Sequence, residues 1–268
     1  MITNTNFKLR RLKQILKSLE SVVVAYSGGL DSTFLLKVAL DTLGKDNVLA
    51  VTARSETYPL REFKEATALA KKIRARHMVI KTSELGIKGF RNNPVNRCYY
   101  CKKELFKKLK NIAKAEGLRH CIDGTNYDDL KDIRYGRLAA KELGIKSPLL
   151  EAKITKREIR DFSKAAGLAT WEKPSFACLA SRFPHKTPIT NHKLYQVDRA
   201  EEFLRGFGVR QVRVRHYGKL ARIEVLPPDI TILTNKGNAK KIDKRFRQLG
   251  FLYTTVDLRG YRTGSMNE

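Results

Sequence analysis

The 268-residue sequence holds no apolar run near the roughly 18 residues that read as a membrane span. Its first residues, MITNTNFKLRRLKQILKS, lack the apolar stretch and small-residue cleavage site of a secretory signal. It has four cysteines, and without such a signal four cysteines do not make a disulfide framework. Together these absences exclude a membrane or disulfide-stapled secreted class and set the expectation of a cytoplasmic protein. Acidic residues are also in short supply: 27 Asp and Glu stand against 54 Lys and Arg, a formal charge of +27. That excess favours anionic partners such as nucleic acid, nucleotides or polyanionic metabolites. The basic residues are spread along the chain, which fits solubility equally well. No internal repeat or low-complexity segment stands out.

What is present is an alternation of strand and helix patterns. Strands are expected at 21–26, 47–53, 76–82, 119–126 and 147–150. Helices are expected at 8–20, 31–43, 59–74, 102–116 and 131–143, with a capped helix in TKREIRDFSKAAG. This order predicts an α/β fold: a Rossmann-like parallel sheet of about five strands with helices on both faces. Ligands of such sheets sit at the carboxyl ends of the strands, an edge that carries Ser27 to Ser32, Thr52 to Ser55, Thr82-Ser83 and Asp123 to Asn126. After Trp171 periodicity is lost in a proline-bearing loop. A helix (191–206), a hairpin, a basic helix (238–249) and the strand FLYTTVDL follow. The expected division is 1–184 for the sheet domain and 185–268 for a smaller α+β domain serving substrate binding or oligomerisation.

The stretch AYSGGLDSTFL, residues 25–35, joins the first strand to a helix. A turn of this kind gathers backbone N–H groups, lets the chain approach a phosphate closely at glycine, and adds the positive end of the helix. Ser27 and Ser32 supply hydroxyls. Asp31 either caps the helix or meets the phosphate through Mg²⁺. No Gly-Lys-Ser/Thr follows, so this is not a Walker loop.

SGGLDS after a first strand resembles the PP-loop of the ATP pyrophosphatase superfamily. DGTNYDD (123–129), KPSFACLASRFP (173–184), RVRHYGKLARIEV (213–225) and the final GYRTGSMNE resemble, in the same order, the LarE family of ATP-dependent sulfur transferases. The resemblance spans nearly the whole chain. It implies ATP and Mg²⁺ as cofactors and adenylation of a pyridinium carboxylate mononucleotide. A sulfur atom then displaces AMP to leave a thiocarboxylate, a step in nickel-pincer nucleotide synthesis for lactate racemase. It implies ATP contacts from Ala25, Ser27, Gly28, Gly29, Asp31, Ser32, Thr52, Ser55, Gly124, Thr125 and Asn126, and catalytic roles for Asp31, Ser32, Cys178 and Arg182. Family members tend to be oligomeric, which implies a homo-oligomer.

Cys178 is the natural sulfur nucleophile, with Lys173, Arg182 and His185 near enough in sequence to favour its thiolate. Single-cysteine members are thought to sacrifice that sulfur. Here Cys98 and Cys101 are added in C-x-x-C spacing. With Cys178 they resemble the three-cysteine transferases, whose [4Fe–4S] cluster leaves one iron open for a sulfide taken from a sulfur donor. Zinc and a redox dithiol remain open as alternatives. Cys121, in an apolar strand, reads as core. Arg213 and Arg215 alternate onto one strand face with Gln211 and suit the substrate's phosphate; a solvated basic face explains them as well. By resemblance Glu201, Glu224 and Asp229 form a metal-binding carboxylate set, with plain surface charge as the alternative. Two rivals stand beside the leading reading. One is a tRNA thiolase of the same superfamily, for which no RNA-binding module is visible. The other is a non-catalytic nucleotide- or RNA-binding protein.

Overall fold

The computed structural model describes residues 2–130, 135–174 and 176–266. The chain folds as two units, Met1–Ser83 with Asn96–Phe176, and Glu84–Val95 with Ala177–Glu268. Among the described residues no helix is long and apolar enough to cross a membrane.

In the first unit the strands β1 (Val22–Ala25), β2 (Val48–Arg54), β3 (Arg76–Lys81) and β4 (His120–Ile122) form one parallel sheet in the order β3-β2-β1-β4. The helices are α1 (Ile2–Leu19), α2 (Leu30–Leu43), α3 (Leu60–Lys72), α4 (Arg97–Ala115), α5 (Tyr135–Glu142), α6 (Pro148–Glu151) and α7 (Lys156–Ala165). Alternate residues of β1 point to opposite faces. Val22 and Val24 enter a core with Leu12, Leu16, Phe34, Ala66 and Ile159, while Val23 joins Leu49, Phe106, Leu109 and Ala139. A strand covered on both faces needs no polar alternation, which is why it reads as an unbroken valine run. The chain runs outward from β1 through β2 and β3, then returns to place β4 on the other side of β1. That reversal opens a crevice at the carboxyl ends of β1 and β4.

The expected fifth strand at 147–150 is instead the helical turn α6. Pro148 has no N–H to give a ladder and suits a first helical turn, so the strand shrinks to a single bridge between Ile122 and Lys146. Helix α4 starts at Arg97, not 102, and so carries Cys98 and Cys101 within its first five residues. The start of the helix expected at 131–143 lies outside the described residues before Tyr135. Thr155 caps α7 through a reciprocal box with Glu158.

The second unit is α+β, as the sequence pattern predicts. Its elements are α8 (Asn191–Arg205), the antiparallel hairpin β5 (Val212–Tyr217) and β6 (Leu220–Val225), α9 (Ile230–Thr234), α10 (Lys236–Gln248) and β7 (Tyr253–Val256). β7 pairs in parallel with β6. Buried Leu194, Val197, Leu204, Val212, Val214, Phe246 and Phe251 supply its apolar interior. Residues 84–95 belong here because Asn93 donates to the carbonyls of Phe183 and Pro184, at 3.2 and 2.7 Å.

Candidate functional site

The loop after β1 is shaped by close packing. Gly28 has φ +61°, and a Cβ there would stand 2.4 Å from the Cβ of Ala66 on α3, so only glycine fits. Gly29 opens α2 with no side-chain cap, leaving the helix's first N–H groups open to an anion. Ser32 Oγ lies 3.1 Å from Ser27 Oγ and accepts the Ser27 N–H at 3.2 Å. A Cβ on Gly124 would lie 3.0 Å from Ser32 N, which shows how closely the loop after β4 crosses this helix start. Asp31 Oδ2 accepts from the Lys156 ammonium at 2.5 Å, while its Oδ1 is buried and, among the described residues, makes no hydrogen bond. A hard anionic oxygen left unpaired beside a phosphate-binding helix start fits Mg²⁺, which commonly takes one or two carboxylates and completes its shell with phosphates and water.

The other residues expected around ATP are placed as follows. Ala25 ends β1 opposite Val51. Thr52 donates to the Tyr26 carbonyl at 2.9 Å and lies 2.8 Å from His77 Nε2, so its hydroxyl is spent under the loop. Burial lowers the His77 pKa. Ser55 Oγ is 3.4 Å from Thr57 Oγ1. Thr125 donates to Asp123 through its hydroxyl, at 2.8 Å, and through its N–H, at 3.2 Å. Asp123 also accepts from Ser147, at 2.8 Å. Asn126 accepts the Asp128 N–H at 2.9 Å. These bonds set the shape of the loop after β4.

Three loop contacts were missed from sequence: Lys156 on Asp31, Tyr58 and Lys173. Tyr58 donates to the Ser27 carbonyl at 2.7 Å. Lys173, expected beside Cys178, instead donates to the Gly28 carbonyl at 3.2 Å and pairs with Glu62 and Glu65 at 2.7 and 3.0 Å. All three join residues 31 to 145 positions apart, and such long-range contacts leave no local signal in the sequence.

Among the described residues none of the four cysteines forms a disulfide. Cys98 is exposed and Cys101 half-buried; their i,i+3 spacing on α4 turns both thiols to one side. Among the described residues, no three His, Cys, Asp or Glu side chains converge as a metal-holding group within either unit. Cys121 is buried in β4, and burial pushes its thiol up to about 11.

In the second unit Cys178 is half-buried and begins a 3-10 turn, Leu179–Arg182. Arg182 is wholly buried and fixes that turn, donating to the carbonyls of Ala177 (2.7 Å) and Cys178 (3.1 Å) and to Ser181 Oγ (2.9 Å). Its other nitrogens form a forked pair with Glu201 at 2.8 and 3.0 Å. Burial works against the Arg182 charge, but Glu201, with a smaller contribution from Cys178, raises its pKa. Burial alone would raise Glu201; Arg182 and other nearby arginines bring its carboxyl down to about 2.

The strand face of Arg213 and Arg215 is not solvated: each is 5% exposed. Arg215 pairs with Glu224 at 2.6 Å and donates to the Ser181 carbonyl at 3.1 Å. Arg213 stands over the Tyr261 ring at 5.3 Å, and burial, then the Arg182 charge, pushes it down to about 10. Glu224 also accepts from Arg222 and Ser265, each at 2.9 Å. Asp229 is half-buried at the start of α9. Glu201 and Glu224 are thus bound to arginines, and the structure does not gather them with Asp229. Buried Arg182, Arg213 and Arg215 lie with the buried carboxylates of Glu201 and Glu224 in one charged network.

Residues 6–96 match the family model described as NAD synthase. An uncharacterised protein of Synechocystis sp. is 45% identical over 260 residues, covering 97% of each chain. The pyridinium-3,5-bisthiocarboxylic acid mononucleotide synthase of Lactiplantibacillus plantarum is 38% identical over 261 residues, covering 97% of this chain and 94% of the relative. An uncharacterised protein of Methanocaldococcus jannaschii is 32% identical over 259 residues, covering 96% and 98%.

Proposed function

Because the chain belongs to the family of the pyridinium-3,5-bisthiocarboxylic acid mononucleotide synthases, the LarE family, we propose that it is an ATP-dependent sulfur transferase acting on a pyridinium carboxylate mononucleotide. The observation that carries this reading is the glycine loop, whose open N–H groups stand beside the unpaired Oδ1 of Asp31.

A carboxylate is a poor electrophile, so it first needs a leaving group. Its oxygen attacks the α-phosphorus of ATP and pyrophosphate departs. The Gly28–Gly29 amides, the Ser27 and Ser32 hydroxyls and the α2 N-terminus hold the departing charge. Asp31 would hold Mg²⁺, which when bound supplies neutralisation of the phosphate charge. A sulfide, the sulfur a cluster-bound donor would deliver, then attacks the acyl carbon of the adenylate, the acyl–phosphate C–O bond breaks, AMP leaves with the electron pair, and the thiocarboxylate remains. Arg213 and Arg215 hold the phosphate of the mononucleotide, with Glu201 and Glu224 acting as counter-ions of the arginine network. Cys178 serves the sulfur step, and Arg182 fixes its backbone.

Cys98, Cys101 and Cys178 would ligate a [4Fe–4S] cluster, which supplies an open iron able to carry a sulfide from a donor. The paired thiols on one helical turn fit two of its ligands. Anaerobically purified protein is expected to be brown, with iron and sulfide that are lost in Cys98→Ala, Cys101→Ala and Cys178→Ala; a colourless zinc protein sinks the cluster. The +27 charge favours one second reading, a tRNA thiolase in the cytoplasm. Pyrophosphate release that needs the mononucleotide supports the first reading; release that needs tRNA supports the second.

A further inference from the structure

The nucleotide loop presents two successive carbonyls, Ser27 and Gly28, and each is met by a side chain from elsewhere in the first unit. The Tyr58 hydroxyl donates to Ser27 O at 2.7 Å, and the Lys173 ammonium donates to Gly28 O at 3.2 Å. In a planar trans peptide the C=O and the following N–H point in opposite directions. Fixing the Ser27 carbonyl therefore turns the Gly28 N–H away from Tyr58. Fixing the Gly28 carbonyl turns the Gly29 N–H away from Lys173. Among the described residues neither N–H has an acceptor. Successive open N–H groups of this kind form an anion-binding nest. Both residues are glycines with no side chain of their own to steady the peptide planes, so the steadying comes from outside the loop.

We infer that Tyr58 and Lys173 are positioning residues for adenylation: by holding the Ser27 and Gly28 carbonyls they aim the Gly28 and Gly29 N–H groups at the phosphates of ATP. The inference rests on the reading of this loop as an ATP site.

Both side chains are themselves held. Lys173 is 15% exposed and pairs with Glu62 and Glu65, one turn apart on α3, at 2.7 and 3.0 Å. Its ammonium is thereby fixed at a place set by a packed helix. The Tyr58 ring lies 6.4 Å from Phe63 and 5.8 Å from Phe176 between ring centres. Burial, then the Glu62 carboxylate, pushes its phenol well above the ordinary range, so it stays a donor. Lys173 and Phe176 also lie on the segment that leads, two residues past Phe176, to Cys178.

The test is calorimetric titration of ATP and of pyrophosphate into Tyr58→Phe, Lys173→Met and Lys173→Arg, alongside AMP formation at varied ATP. Tyr58→Phe removes one hydroxyl and keeps the ring. Tyr58→Phe and Lys173→Met are each expected to bind both ligands at least about fivefold more weakly. KM for ATP should rise in step, kcat should change less, and the melting temperature should stay within a few degrees. Lys173→Arg is expected to recover part of the loss, which a merely structural role would not require. If Lys173→Met does not fold, Tyr58→Phe decides alone. Binding within twofold of wild type in Tyr58→Phe overturns the inference. Wild-type protein that binds ATP but forms no AMP overturns the adenylation reading instead and leaves the binding comparison standing.

Discussion

Glu201→Gln tests the electrostatic core of the second unit. Glu201 is buried, forked to Arg182, bonded to Arg205 at 3.2 Å and to the Val214 N–H at 3.1 Å. A carboxyl held near 2 in the folded chain, against an ordinary 4.5, contributes about 3 kcal/mol at neutral pH. The folded value is depressed, so this stability is fully present above about pH 4.5 and is lost as the pH falls towards 2. Glutamine keeps the shape and removes the charge, leaving Arg182 buried without its counter-ion, a defect of about 3–5 kcal/mol in buried pairs. Urea unfolding followed on the second unit's transition should show Glu201→Gln less stable by about 3 kcal/mol at pH 7. At pH 3 the unfolded carboxyl is largely protonated, and the gap should narrow by about 2 kcal/mol. A gap below about 1 kcal/mol at pH 7, or one as wide at pH 3 as at pH 7, would refute the reasoning.

Gly28→Ala forces a side chain into φ +61° and into Ala66, and should weaken ATP binding at least about tenfold. Gly44→Ala, at φ +80° with nothing within 4 Å, is the control: it should lose about 1 kcal/mol of stability and keep its ATP affinity. Cys178→Ala should still release pyrophosphate in the presence of the mononucleotide while forming no thiocarboxylate, as followed by mass spectrometry of the product. Cys121, with its thiol pushed up to about 11, stays protonated at pH 8; iodoacetamide should modify exposed Cys98 and spare Cys121 until the chain unfolds, as peptide mapping would show.

What the sequence disclosed depends on the range of the interaction that encodes it. The valine run of β1 and the turn at Gly28 and Gly29 are legible because strand burial and a helix start are decided by neighbours a few residues apart. Pro148 misled only because SPLL has strand-like composition; the missing N–H was the better guide. Arg213 and Arg215 alternate with valines as a half-solvated strand does, so their pattern is the same whether the face meets water or carboxylates. What buries them is Glu224 across the hairpin and, through Arg182, Glu201 on α8, partners whose spacing no local periodicity records. Tyr58 and Lys173 follow the same rule. Each acts on a carbonyl 31 or 145 residues away, and a carbonyl has no signature in sequence. The glycine loop therefore advertises a phosphate site without its supports. A loop of that sequence lacking the outside donors would keep its pattern and lose the fixed direction of its N–H groups, which is the property that adenylation requires.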